Sequence, residues 1–265
     1  MARNIMKIID WLRIPETMRI QNLDDPATAL LHAEIIQKKA FLKRLYIDFY
    51  RQLEKAVSDP EKKVLVELGS GGGFIKEVIS NVITSDLLEL PHVDRVFSAV
   101  SMPFENDSVD AFVMIDVLHH MADPGAFLEE AGRCLRDSGK IVMIEPANTP
   151  WSRFIYKNFH HELFDTTDQW KLERERPLSV ANGALPWIIF SRDREQFDKA
   201  FPYLRIVRMY PHTPLLYLLS GGLTLRQLVP SLSYPVFKLL ERVLSPFNSL
   251  LGMFQTIELQ KVVCP

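Results

Sequence analysis

Two histidine pairs, His119-His120 and His160-His161, are the side chains best suited to moving a proton near neutral pH. Carboxylates stand near both. Asp116 precedes the first pair, Glu162 follows the second, and Glu145 lies between them in the chain. His160-His161-Glu162 also carries metal-ligand types, but adjacent histidines on a helix point apart, so no metal centre is expected. Cys134 and Cys264 are the only cysteines, too few for a thiolate site. A different chemistry is written at Val64-Leu-Val-Glu-Leu-Gly-Ser-Gly-Gly-Gly-Phe74. There Glu67 stands two residues ahead of Gly69, in a loop where Gly69, Gly71 and Gly73 let a ligand approach the backbone without a Cβ in the way.

These residues need elements to position them. The apolar run before Gly69 reads as a strand buried on both faces, and the spacing of Phe74, Ile75, Val78 and Ile79 predicts a helix over 74–80. Strand, glycine turn and helix open a nucleotide-binding α/β unit. A dinucleotide fingerprint needs G-x-G-x-x-G, but Phe74 stands at the third glycine position and Glu67 would repel a pyrophosphate. The same carboxylate suits a ligand with positive charge, such as the ammonium and sulfonium of S-adenosyl-L-methionine. A second strand over 81–86 ends in Asp86, 19 residues after Glu67, where an acidic group accepts ribose hydroxyls. Further strands are expected at 93–98, 111–116, 140–146, 204–210 and 254–262, with helices over 27–58 (one or two), 121–136 and 193–201. Residues 186–190 read as a short strand or lid segment. Ligands of such sheets sit outside the carboxyl ends of the strands, which gathers Glu67, Asp86, Ser98, Asp116, His119, His120 and Glu145 on one rim.

The opening stretch resembles motif I of the class I S-adenosylmethionine-dependent methyltransferases, V-L-D-x-G-x-G-x-G. The resemblance continues through Met102-Pro-Phe104, Asp107-Ser-Val-Asp110, Val117-Leu-His-His120, the Leu128 to Leu135 helix and the strand ending Glu145-Pro146. It covers about 64–146. It implies a Rossmann-like, doubly wound seven-stranded α/β sheet closed by an antiparallel pair, and S-adenosyl-L-methionine as cofactor. Glu67, Gly69, Ser70, Gly71 and Gly73 would hold the methionine part and Asp86 the ribose, with Ser98, Ala99 and Met102 beside the adenine and Asp116 further along the rim. The family's adenine-binding Asp aligns with Ser98, a departure from the pattern. The helix before the first strand would lie over the cofactor, where Tyr46 and Tyr50 either line the pocket or form a packed stripe. Catalysis by His119, His120, His160 or His161 would serve an oxygen acceptor. A catalytically degenerate binding protein and a nicotinamide-dependent oxidoreductase are the competing readings.

The organisation expected is a helical cap at 1–58, a cofactor core at 59–146, a lid or substrate insertion at 147–203, and the last two strands at 204–265. The region from Asn148 reads as an irregular insertion whose aromatic residues suit an organic acceptor. Residues 211–253 are apolar enough for three roles: a cap on the substrate pocket, a homodimer surface, or a monotopic contact with a membrane. The uncharged run Met209 to Leu225 is about 17 residues and is interrupted by prolines and glycines, too short for a span. Ile8, Trp11, Leu12 and Ile14 suggest a docking arm or a membrane anchor. Lys plus Arg is 31 against 33 Asp plus Glu, which argues against nucleic acid. A small-molecule, glycan or lipid substrate remains. Two cysteines and an early charge fit a cytoplasmic protein, membrane-associated if 211–253 or the arm touches lipid.

Overall fold

A computed structural model describes residues 11–17, 25–159, 162–171 and 181–263. The apolar runs become seven strands: β1 (Leu65–Glu67), β2 (Ile83–Asp86), β3 (Arg95–Val96), β4 (Val109–Ile115), β5 (Leu135–Pro146), β6 (Leu204–His212) and β7 (Phe254–Lys261). They form one sheet in the order β3-β2-β1-β4-β5-β7-β6. The strands from β3 to β5 are parallel, and β7 runs antiparallel to both β5 and β6. Chain order reverses between β1 and β4, so the crevice at a doubly wound sheet's switch point opens above Glu67 and Asp116.

Helix α1 (Pro26–Lys38) starts at Asp25, whose carboxylate accepts the Ala27 N–H at 2.9 Å, with Pro26 in the first turn. Helix α2 (Ala40–Val57) follows and buries Phe41, Leu42, Leu45, Phe49, Tyr50 and Leu53 at helical spacing. Each such side chain contributes about 1.5–3 kcal/mol by leaving water. The single periodic stretch is thus two helices. Lys39 departs from helical geometry at φ −94°, ψ 86°. Its ammonium turns away to donate to the carbonyls of Gly222 and Leu225, at 2.5 and 2.8 Å.

The helix expected over 74–80 shrinks to a 3-10 turn, Ile75–Glu77. The chain has only the stretch from Phe74 to Val82 to return to β2, and a full crossover helix needs about ten residues or more. Ile75 and Ile79 pack in the same buried cluster as α2, which covers that face instead. On the opposite face α3 (Pro124–Cys134) is capped by Asp123, and packs Phe127, Leu128 and Ala131 under the sheet. It ends two residues before the expected Arg136, because β5 already begins at Leu135.

The region after β5 is more regular than its sequence suggests. Helix α4 (Pro150–Phe159) replaces the irregular insertion expected from Asn148. Leu185–Trp187 and the π turn Ile188–Arg192 form a buried helical segment, not a strand. Its Leu185, Ile189 and Phe190 complete the core beside α5 (Arg194–Ala200). Between β6 and β7 lie α6 (Leu216–Ser220), α7 (Tyr234–Leu244) and α8 (Asn248–Leu251). Residues 11–17 strap onto this insertion through Ile14 N–H to the Thr224 carbonyl (2.9 Å) and Arg226 N–H to the Leu12 carbonyl (2.7 Å). Ile8 of the proposed arm lies outside the described residues.

Candidate active site

The rim above β1 and β2 is built on backbone geometry. Gly69 and Gly71 adopt φ of 64° and 49°, in the left-handed region that favours glycine. A Cβ on Gly69 would lie 2.7 Å from Val117 Cγ2, and one on Gly73 would lie 2.7 Å from both the Ser70 carbonyl and the Tyr50 hydroxyl. Tyr50 is buried beneath the loop, where its hydroxyl accepts the Phe74 N–H at 3.1 Å. It is therefore a packed tyrosine that also shapes the turn. Tyr46 is half-buried, its ring 6.3 Å from that of Phe74.

Glu67 is buried at the end of β1 and accepts a hydrogen bond from the Ser70 hydroxyl at 2.5 Å. Burial pushes its carboxyl up to about 7; Ser70 opposes that shift, the charge of Asp86 adds to it, and Lys76 opposes it. Asp86 accepts the N–H groups of Gly71 (2.8 Å) and Leu88 (2.9 Å), so its carboxylate organises the glycine turn directly. His92 adds a contact that the sequence reading did not single out: its Nε2 lies 2.6 Å from the Gly71 carbonyl. Ser98 and Ala99 sit half-buried just past β3, in a turn closed by Ser101 N–H on the Ser98 carbonyl (3.0 Å). Met102 is held otherwise. Its side chain is in the core under the sheet, and its N–H donates to Glu130 at 2.7 Å.

The rim above β4 and β5 is built on charge. Glu145 is fully buried at the end of β5 and accepts three donors: Val117 N–H at 2.9 Å, Leu118 N–H at 2.7 Å and His119 Nδ1 at 2.7 Å. Glu162 arrives from the far side, its oxygens 3.6 Å from His119 Nε2 and 3.7 Å from His120 Nε2. Burial alone would lower the His119 pKa, but the hydrogen bonds and charges of Glu145 and Glu162 outweigh it, so the ring is held well above its ordinary value. The two carboxylates on either side of His119 thus favour its protonated form.

Asp116, the residue after β4, turns at φ 57°, a strained conformation for a residue with a side chain. Its N–H donates to the Ile144 carbonyl at 2.9 Å, which fixes the corner. Burial lifts its carboxyl to about 8; the His119 charge opposes this, while Glu145 and Glu162 reinforce it. The charge of Asp116 also helps to hold the buried hydroxyls of Tyr46, Tyr156 and Tyr217 up, second to burial itself. The Tyr156 hydroxyl itself donates to the Met253 carbonyl at 3.1 Å. Donor atoms of Asp116, His119 and Glu145, and of His119, His120 and Glu162, lie within 4.8 Å of one another, and the pairing of imidazole with carboxylate accounts for both groups.

The sequence reading missed how Glu162 joins this rim, and missed Asn182 altogether. Asn182 is buried, donates its N–H to the His119 carbonyl at 3.0 Å, and uses its side chain to tie Asp165, Asp168 and Ala184 together. Nothing in an isolated Val-Ala-Asn-Gly stretch signals such a clamp. His160 and His161, also expected as catalytic candidates, lie outside the described residues.

A parallel sheet with an antiparallel last strand, a glycine turn beside a buried acid and a second acidic strand end are the features that the resemblance to class I methyltransferases implies. Residues 66–143 match the family model described as a methyltransferase domain. This match covers the glycine turn, Asp86 and most of β5, and marks that stretch as a methyltransferase domain. No curated protein matches. Among solved structures, it is similar to geranyl diphosphate C-methyltransferase from Streptomyces coelicolor, at 16% identity over 92% of this chain and 89% of that one, with a TM-score of 0.46. It is also similar to a SAM-dependent methyltransferase from Thermotoga maritima, at 15% identity over 86% of this chain and 99% of that one, with a TM-score of 0.47.

The residues present fit the cofactor, S-adenosyl-L-methionine. A buried carboxyl raised to about 7 is completed by a cation, and at Gly71 a Cβ would meet nothing nearer than the Gly69 carbonyl at 3.9 Å, so the turn is open to a ligand there.

Proposed function

We propose that the chain moves a methyl group from S-adenosyl-L-methionine to an oxygen of a small organic, glycan or lipid-type acceptor. The observation that carries this reading is the division of one sheet rim. An anionic glycine turn stands above β1 and β2, and a proton-handling cluster stands above β4 and β5.

The bound cofactor supplies an electrophilic methyl group on a sulfonium. Glu67 faces its cationic part and ionises there. Gly69, Ser70, Gly71 and Gly73 give backbone access, and Asp86 takes the ribose hydroxyls by exchanging its hold on Gly71 N–H. Ser98 and Ala99 flank the adenine, while Met102 supports that turn from the core. On the other half, Tyr46, Tyr156, Tyr217 and Asp116 line the acceptor space. His119, held protonated between Glu145 and Glu162, orients the rim and balances its charge. His120 is less enclosed, with a fifth of its side chain exposed, and it takes the acceptor's proton. His160 and His161 stand in the sequence beside Glu162 and remain candidates for the same duty. Alignment of acceptor and methyl supplies much of the rate. In this reading residues 1–58 cover the cofactor, 59–146 seat it, 147–203 and 211–253 wall the acceptor, and β6 and β7 close the sheet.

Calorimetric titration with S-adenosyl-L-methionine, beside a nicotinamide dinucleotide, tests the reading. Wild type is expected to bind the former, and Glu67→Gln to bind it weakly. A wild-type chain that binds the dinucleotide instead would sink it.

A further inference from the structure

The insertion between β6 and β7 contains a helix whose polarity is turned inside out. Three polar side chains of α7 point into the protein. The Tyr234 hydroxyl and Lys238 ammonium both donate to Asp48 of α2, at 2.5 and 2.6 Å. Glu241 accepts the N–H groups of Leu215 and Leu216, each at 2.8 Å, and so caps the start of α6. The solvent face is left to Val236 (66% exposed), Leu239 (60%) and Val243 (66%). Leu232, Phe247 and Leu250, on either side of α7, extend the face at 86%, 55% and 52% exposure. Helix α8 touches α4, which adds exposed Phe154 and Phe159. Single exposed apolar residues are ordinary, but a continuous face of this kind marks an interaction site.

The charges around the face select its occupant. Of the four charged residues between 211 and 253, Arg226 and Arg242 are exposed, Lys238 is paired with Asp48, and the single acid, Glu241, is turned inward. Helix α4 contributes exposed Arg153 and Lys157 and has no acid. The accessible charge on these elements is therefore all positive. A second copy seated on the same face would set these cations against their own counterparts with no acid to pair them. An anionic lipid surface offers what both features need, apolar depth and negative charge. No helix among the described residues is long and apolar enough to cross a membrane. At eleven residues α7 is about 16 Å long, which suits a helix lying in the interface.

We infer that α7, α8 and the outer side of α4 form an in-plane docking surface for an anionic membrane, from which a lipid-linked acceptor enters the active site. The acceptor half of this inference rests on the methyltransferase reading above; the docking half does not. The same elements serve both sides. Helix α4 carries buried Tyr156, whose hydroxyl donates to the Met253 carbonyl at 3.1 Å, and α6 carries Tyr217, whose ring lies 4.9 Å from that of Phe254, the β7 residue paired with Pro146 beside Glu145. Docking therefore lays the elements that flank the Glu145 end of β5 against the bilayer, so a head group reaches the rim while its chain stays in lipid.

The test is co-sedimentation of the full chain with vesicles of phosphatidylcholine alone and of phosphatidylcholine mixed with phosphatidylglycerol, at low and high salt. The protein is expected to pellet with the anionic vesicles, and less so as salt rises. Leu239→Glu combined with Val243→Glu is expected to cut the partition coefficient about tenfold or more, and Arg242→Glu by a smaller factor. These side chains are exposed, so the variants are expected to keep the wild-type melting temperature and affinity for S-adenosyl-L-methionine. Wild type that stays in the supernatant with both vesicle types overturns the inference. So does a double variant that binds as wild type does, or a dimer, seen by light scattering, that the double substitution dissolves. Loss of cofactor binding in wild type would strike the methyltransferase reading and leave the vesicle result standing.

Discussion

The two halves of the rim solve one problem, holding a buried carboxylate, in opposite ways. Above β1, Glu67 has the Ser70 hydroxyl for a partner and its carboxyl rises to about 7. Above β5, Glu145 has two backbone donors and an imidazole. The first acid awaits a charge from outside; the second is already satisfied by the chain. An under-satisfied acid suits reversible binding of a cation, whereas a saturated one fixes geometry.

The sharpest way to break this contrast is Glu145→Ala. It leaves the Val117 and Leu118 N–H groups and the His119 ring without their acceptor in a buried site. Removing one partner of a buried, charged pair costs about 3–5 kcal/mol, so urea denaturation is expected to show a loss of that size. Glu67→Ala is expected to lose far less, because it strands the Ser70 hydroxyl rather than two backbone N–H groups and an imidazole. Comparable losses would erase the distinction between the halves.

The histidine pair comes next. His120→Ala is expected to lower turnover about a hundredfold or more while leaving cofactor affinity in place, the scale of a lost general base. His119→Gln is expected to act mainly through stability. A smaller catalytic loss at His120 than at His119 would reverse their roles. For the cofactor half, Glu67→Gln is expected to weaken S-adenosyl-L-methionine by about 1.5–3 kcal/mol, the range for a hydrogen bond to a charged group, as read by calorimetry.

The pH response separates the halves again. The folded-state pKa of Glu67 lies above its ordinary value, so the ligand-free fold binds the extra proton between the two values. That contribution to stability is therefore lost as pH rises from the ordinary carboxylate range through about 7. A cation at the site favours the ionised form, so cofactor affinity is expected to rise with pH up to about 7 and then level off. Titrations in buffers of different ionisation enthalpy are expected to show proton release below that point. A flat profile in wild type, or an unchanged one in Glu67→Gln, would place the titration elsewhere.

The same division explains what the sequence made legible. Glu67, the three glycines and Asp86 lie within 20 residues, and each acts through its own strand end or its own backbone. Local spacing encodes such a site. The strand positions and the apolar stripe of α2 were readable for a similar reason, since periodicity and turn chemistry are local, whereas the antiparallel close of the sheet was implied by the family resemblance. The rim above β4 and β5 also draws on Glu162 and Asn182, which only the folded chain brings beside His119 and Glu145. A carboxylate in the His160-His161-Glu162 stretch does not disclose that it ends 3.6 Å from His119. The helix expected at 74–80 failed for a tertiary reason: Ile75 and Ile79 are buried and Phe74 and Val78 half-buried, but the connection to β2 is short and α2 already covers that face. For 211–253, composition announced an apolar insertion. Only the inward turn of Lys238 and Glu241 shows that it caps the core on one side and bares an apolar face on the other.

The smallest expected effect probes the seam between cap and cofactor loop. Tyr50 fills the space under Gly73 and accepts the Phe74 N–H from a fully packed position. Tyr50→Phe keeps the ring and removes only that acceptor, so a loss of about 1 kcal/mol in stability is expected. If the hydroxyl also sets the loop for binding, cofactor affinity falls as well, and calorimetry reads the two losses separately. A stability loss without an affinity loss makes Tyr50 part of the packed stripe alone. An affinity loss that exceeds the stability loss ties the N-terminal helices to the cofactor half and makes the cap part of the site.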